Sequence, residues 1–308
     1  MNLYKNHPGY ETLCNHFDAI GTALGLLEEN TASQPSFTVI DGELYQIPSF
    51  SVSSVCCSLE SISFCVSCGH MSDAYTLTRK VRDDLLQHIF VLRAIKKADE
   101  TRTTKIEFAT GQNMDEELFC RIVDDALREM ITCDKTDAEC AVDAWIKNDL
   151  KNPANSKMRR NYFGASRYVD YLRKDDLVGE CFSKFFYGEI QKLQRMFDNY
   201  VHANGASFIL SNLPQAMYDR FAQHCEAISR SLIIIASIYI SCMTLISPSI
   251  LMATDFIDAL DMGLQPTDGS QYWIMPGIQE FMDQYFPSIS PELKKYLRAN
   301  NSYGMKIE

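Results

Sequence analysis

A chain of 308 residues that is 46% hydrophobic and 11% aromatic is long and apolar enough to bury a real core, which excludes disorder as its default state. Its formal net charge of −11 excludes a protein that coats nucleic acid with its whole surface, because phosphate binding needs a positive field somewhere. The eleven cysteines are an odd number scattered through helix-like segments, and no basic stretch followed by an apolar run opens the chain, so free thiols in a reducing, cytoplasmic setting are expected.

In chain order, Leu13, Phe17, Ile20, Leu24 and Leu27 recur every three or four residues and predict an amphipathic helix over 10–29. Thr38-Val39-Ile40 and Leu44-Tyr45-Gln46 flank Asp41-Gly42, a short-hairpin signal. Residues 51–97 hold no proline and read as one long helix or two in series, with Gly69 as the break. Two shorter helices are expected over 115–130 and 137–150, each opened by acidic residues that suit a helix N-terminus, with Pro153 ending the pair. The clearest helix runs over 176–202, where Leu177, Cys181, Phe182, Phe185, Phe186, Ile190, Leu193, Met196, Phe197, Tyr200 and Val201 form one stripe and Asn204-Gly205 supplies the stop. Further helices are expected over 213–246, 249–262, 278–285 and 291–299. The resulting fold class is mainly all-α, a helical bundle with long central helices and a small β-hairpin near residues 37–47. It forms one domain over 1–308, divisible into an N-terminal part (1–150) and a C-terminal part (151–308).

Four regions carry two readings each. Residues 231–254 contain no charge over 24 positions, enough to cross or enter a bilayer, but Pro248 and several Ser and Thr interrupt them, as in a buried central helix. Cys65-Val66-Ser67-Cys68-Gly69-His70, with Cys56 and Cys57 upstream, carries zinc-type ligands without a second pair at matching spacing; core cysteines are the simpler account, and no metal is assigned. Lys147, Lys151, Lys157, Arg159, Arg160, Arg167, Arg173 and Lys174 make the densest basic stretch, read either as a phosphate-binding patch or as a solvated loop with helix ends. The bulky Gln271-Tyr272-Trp273-Ile274-Met275-Pro276 segment caps a core or meets a partner.

The chemistry-bearing residues lie on two helices. On a helical wheel Arg82 falls within about 40° of Tyr75, Leu86 and Ile89, so its guanidinium leaves an apolar face and needs either a buried carboxylate or an anion; Arg79 and Arg82 are the candidate substrate-binding pair. Arg195, Asn199 and His202 share a face of the later helix, with Asp198 at its edge. His moves protons near neutral pH and Arg holds a scissile phosphate, so these three are the candidate catalytic residues of an RNA-cleaving site. Arg195, six intervening residues and His202 resemble the Arg-x(4–6)-His motif of the HEPN superfamily of helical RNases and nucleic-acid-associated proteins. Arg82 and His88 fit the same spacing less well, since they lie about 120° apart on the wheel. The resemblance implies a metal-independent endoribonuclease without cofactor, acting on RNA as a defence or toxin effector, with an active site shared across a homodimer. Met196 stands where that family usually has a polar residue, which points to the alternative of a non-catalytic protein- or RNA-binding module; a membrane effector acting through 231–254 is a third reading. The first two require the helix around Arg82 to pack, antiparallel, against the helix ending at His202. No Gly-rich phosphate loop, His-Glu-x-x-His or Gly-x-Ser-x-Gly sequence is present.

Overall fold

Helix α1 (Pro8–Ser33) buries the stripe its periodicity predicts, with Leu13, Phe17, Ile20, Leu24 and Leu27 all inside. The computed structural model describes residues 3–33, 36–41, 43–47, 50–101, 116–202, 205–211, 213–253, 259, 262–265, 274–302 and 304–308. The architecture is mainly helical. Strands β1 (Ser36–Ile40) and β2 (Glu43–Ile47) form an antiparallel hairpin with Val39 opposite Leu44, and Asp41 takes a positive φ of 54° at its turn. Lys135 and Lys147 tie this hairpin to the following helices by donating to the Val39 carbonyl and the Asp41 carboxylate.

Helices α2 (Phe50–Ser67) and α3 (Met71–Thr101) are two helices, broken where Gly69 was expected to break them. Gly69 has φ 81°, and a Cβ there would sit 2.7 Å from the Tyr4 ring, so backbone and packing both call for glycine. The two helices double back on each other, with Lys80 on α3 donating to Ser54 on α2. Helix α3 is the spine of the bundle, about 46 Å long at 1.5 Å per residue.

After α4 (Glu116–Thr132), helix α5 (Asp137–Ile146) opens on a capping box in which Thr136 and Glu139 satisfy each other's backbone N–H groups. It ends short of residue 150, where Asn148 turns the chain with φ 57°. Residues expected to be a loop with helix ends fold into two short helices, α6 (Ser156–Tyr162) and α7 (Ala165–Lys174), separated by Gly164 at φ 124°. Their aromatic side chains Tyr162, Phe163, Tyr168 and Tyr171 surround Phe90 of α3, which explains why this polar-looking stretch is ordered.

The helix expected over 176–202 begins at Gly179 instead. Asp175 accepts from the backbone N–H groups of Leu177 and Val178 and fixes the start, and Arg93 from α3 holds Asp175 by two contacts of 2.9 and 3.0 Å. Both side chains are 1% exposed. Helix α8 (Gly179–Cys181) then runs through a π-helical turn at Phe182–Phe186 into α9 (Tyr187–Val201). Packing makes the extra residue tolerable, because Phe182, Phe185 and Phe186 are all buried. Helix α9 lies antiparallel to α3, as expected: Tyr200 stacks on Tyr75 with ring centroids 3.9 Å apart, while Gln194, earlier on α9, meets Arg82, later on α3.

Beyond α10 (Gly205–Ser211), helix α11 (Pro214–Ile246) fills the centre, parallel to both α1 and α3. Residues 231–246 of it are buried without exception. Lys96 caps its end by donating to the Ile246 carbonyl, and Asn30 ties α1 to the chain just beyond through the Ile250 and Met252 carbonyls. A 3₁₀ turn at Pro248–Leu251 stands at the start of the expected 249–262 helix, most of which lies outside the described residues. Helices α12 (Pro276–Ile289) and α13 (Leu293–Asn300) close the bundle, and Gln279 exchanges hydrogen bonds with the backbone of Glu308. One apolar core runs from Leu13 to Ile307 and includes side chains on both sides of residue 150.

Candidate functional site

Packing of α9 on α3 divides the chemistry-bearing residues between two faces. Gln194, Phe197 and Asp198 turn toward α3. Arg195, Asn199 and His202 turn to solvent, as their shared wheel position requires, and their side chains have no partner among the described residues. His202 closes the helix, with its backbone N–H reaching the Asp198 carbonyl.

Arg82 is 1% exposed and fully engaged. Its Nε donates to Asp83 Oδ1 at 2.8 Å and its Nη1 to Gln194 Oε1 at 2.7 Å, and the guanidinium lies 5.3 Å from the centre of the Phe197 ring. Its Nη2 is 2.7 Å from the same Asp83 oxygen, an ion-pair contact at an angle too poor for a hydrogen bond. Gln194 passes the network on, donating at 2.7 Å to Asp198, and Asp198 lies 3.6 Å from Arg79 Nη1. Arg79 also lies 3.7 Å from Asp83. The two arginines expected to bind substrate therefore each already face carboxylates, and a phosphate would have to displace them. The helices meet as predicted, but Arg82 reaches Gln194 rather than Asn199 or His202, because it enters the neighbouring face of α9, centred about 110° around the axis from theirs. Gln194 is the residue the sequence did not single out; only its place one helical turn before Asp198 hinted at it.

The remaining candidates separate in the same way. His88 is buried, with Nδ1 2.9 Å from the Tyr239 hydroxyl, so it serves the core rather than the Arg82 site. Among the described residues no group of three or more His, Cys, Asp or Glu side chains is placed to hold a metal ion. Cys56 and Cys65 are half-buried thiols pushed above their usual range by burial. Gln271, Tyr272 and Trp273 lie outside the described residues, whereas Ile274 bridges to Met252 and is buried with Met275.

The basic stretch is carried by α6, α7 and the turns that flank them. Between Lys147 and Lys174 the chain has eight cationic side chains and two carboxylates, Asp149 and Asp170. Asp149 is held by Asn155 at 2.9 Å, and Asp170 lies 3.9 Å from Arg167. Arg173 lies over the Tyr187 ring at 4.9 Å, and Lys147 is paired with Asp41. Lys151, Lys157, Arg159, Arg160 and Lys174 are exposed and have no carboxylate partner among the described residues. Their helices turn aromatic side chains inward onto Phe90 and their cations outward. Phe90 and Tyr75 are about 22 Å apart along α3, so this surface and the His202 end of α9 are separate places.

Compared with protein-family models, with curated proteins and with solved structures, the chain matches none.

Proposed function

We propose that this chain is a helical nucleic-acid-binding module that grips the phosphate backbone of RNA through the α6–α7 surface. The observation that carries the reading is that Lys151, Lys157, Arg159, Arg160 and Lys174, within one stretch of 24 residues, are exposed and without carboxylate partners among the described residues on a chain of net charge −11. A concentration of cations against an acidic background favours a polyanion, and it steers that polyanion to one place. The large hydrophobic side chains exposed among the described residues all lie outside 147–174, so this surface has nothing to insert into a bilayer, which favours a phosphate backbone over a lipid surface. The aromatic residues of α6 and α7 are occupied around Phe90, so recognition rests on phosphates and is sequence-tolerant.

Anisotropy of a labelled single-stranded RNA tests this. Wild type should bind at low salt, and Lys157→Gln/Arg159→Gln/Arg160→Gln should weaken binding at least tenfold, whereas Arg195→Ala/His202→Ala should leave it unchanged. Equal binding by wild type and the triple variant would refute the assignment of the surface; binding to anionic vesicles but not to RNA would refute the choice of partner.

A ribonuclease reading keeps one specific support. Arg195, Asn199 and His202 remain together on an open face, free to meet a second copy of the chain, as the HEPN resemblance implies. RNA that stays equally intact in cells expressing wild type and His202→Ala, with equal growth, would dismiss it.

A further inference from the structure

A second site lies where α1, α11 and α12, with Glu189 of α9, line a cavity of about 440 Å³ that opens to solvent. Its size falls in the range of small-molecule pockets. Leu13, Ile233, Ile234 and Ile289 give it apolar walls. Ser229, which is 2% exposed, borders it with a buried hydroxyl that has no hydrogen-bond partner. A serine in mid-helix normally returns its hydroxyl to the carbonyl one turn back, as Ser231 and Thr244 do on this same helix, and Ser229 does not. Ser237 and Ser241 are also unpartnered deeper in α11, but they do not border the cavity.

His16 borders the cavity from α1, and its Nδ1 is likewise buried without a partner. Beside it the Tyr285 hydroxyl is buried and unpartnered, with the two rings edge to face at 5.8 Å. Buried polar atoms are almost always satisfied in folded proteins, so two unpartnered atoms that border one cavity from two different helices, with a third just behind His16, mark a place shaped for a partner. Burial also lowers the His16 pKa, which keeps the ring neutral. At the mouth Glu189 lies 2.5 Å from Lys192 and 3.9 Å from Arg230, and Glu226 adds a second carboxylate.

We infer that this cavity binds a neutral amphipathic small molecule, its apolar body against Leu13, Ile233, Ile234 and Ile289 and a hydroxyl- or amide-bearing end hydrogen-bonded to Ser229 and His16. An anionic end finds no uncompensated cation in the lining and faces Glu226 as well as Glu189, so neutral ligands are preferred over anions of the same length.

Calorimetry with 1-octanol and sodium octanoate, which share a chain and differ in the charge of the end group, tests the inference on the full chain. The alcohol should bind one to one and about tenfold more tightly than the carboxylate. Ser229→Ala should weaken the alcohol about fivefold, the worth of one hydrogen bond. Thr12→Trp, at an exposed position on the rim, should abolish binding by filling the cavity. Methyl NMR of isoleucine-labelled wild type needs no variant and should show octanol shifting Ile233, Ile234 and Ile289. No saturable octanol binding, a preference for octanoate, or methyl shifts elsewhere in the bundle would each overturn the assignment.

Discussion

Acid should loosen this bundle well before its surface carboxylates titrate, and His88 is the reason. The imidazole is buried between α3 and α11, with Nδ1 on the Tyr239 hydroxyl and Nε2 unpartnered, and burial lowers its pKa to about 4 from an ordinary 6.5. The unfolded chain takes up a proton at this residue below 6.5, whereas the folded chain refuses it until about 4, so stability falls as pH falls through that window and is fully present above it. A gap of this size corresponds to about 3 kcal/mol in total, of which about 2.5 kcal/mol should be lost by about pH 4.5. His16 and His224, whose pKa values are also lowered by burial, act in the same direction. Asp176, held down by Lys97 and Arg93, begins to lose its pairing only below the ordinary carboxylate range, which leaves the histidine window clear of it. Urea unfolding at about pH 7 and about pH 4.5 on wild type and His88→Gln measures the effect, since the amide can still meet Tyr239 but does not titrate. The variant should lose at least about 1.5 kcal/mol less than wild type over that interval. Identical losses in the two proteins would refute the reasoning.

Arg93→Ala should cost about 3–5 kcal/mol in urea unfolding, because it leaves Asp175 at 1% exposure with Lys97, 3.6 Å away, as its one remaining cation among the described residues, and Asp175→Asn in the same chain should restore part of the loss; a cost under about 1 kcal/mol would contradict the buried pair. Gly69→Ala should lower stability by about 1–2 kcal/mol, since φ is 81° and the added Cβ meets Tyr4, and an unchanged unfolding midpoint would count against that turn. Arg82→Ala should cost at least about 2 kcal/mol by emptying a buried site, removing the donor to Gln194 Oε1 and leaving Asp83 with Arg79 alone, whereas exposed His202→Ala should stay within about 0.5 kcal/mol. Equal effects at the two positions would mean that the two faces of α9 have been confused.

Much of the fold was legible because its helices are long and strongly periodic. The stripe of α1, the Gly69 break, the hairpin turn and the antiparallel pairing of α3 with α9 all follow from apolar spacing and turn chemistry. The α6–α7 pair was not legible, because its order comes from Phe90, more than sixty residues earlier in the chain, and no local pattern reports such a partner. The wheel placed Arg82 correctly on a buried face, yet the identity of its partners was a tertiary fact. Arg195, Asn199 and His202 were rightly grouped on one face; that this face looks away from α3 depends on which stripe of α9 packs. The cavity was hidden for a related reason, since Ser229, His16 and Ile289 come from three distant segments and each looks ordinary in its own helix.

The salt dependence of RNA binding tests the central claim most directly. If Lys157, Arg159 and Arg160 each neutralise one phosphate, the slope of log K against log salt should flatten by about 2 in the triple glutamine variant, at about 0.7 per contact on a single strand. The Arg195→Ala/His202→Ala variant should keep the wild-type slope. A wild type that fails to bind at low salt, or a triple variant whose slope equals that of wild type, would contradict the account.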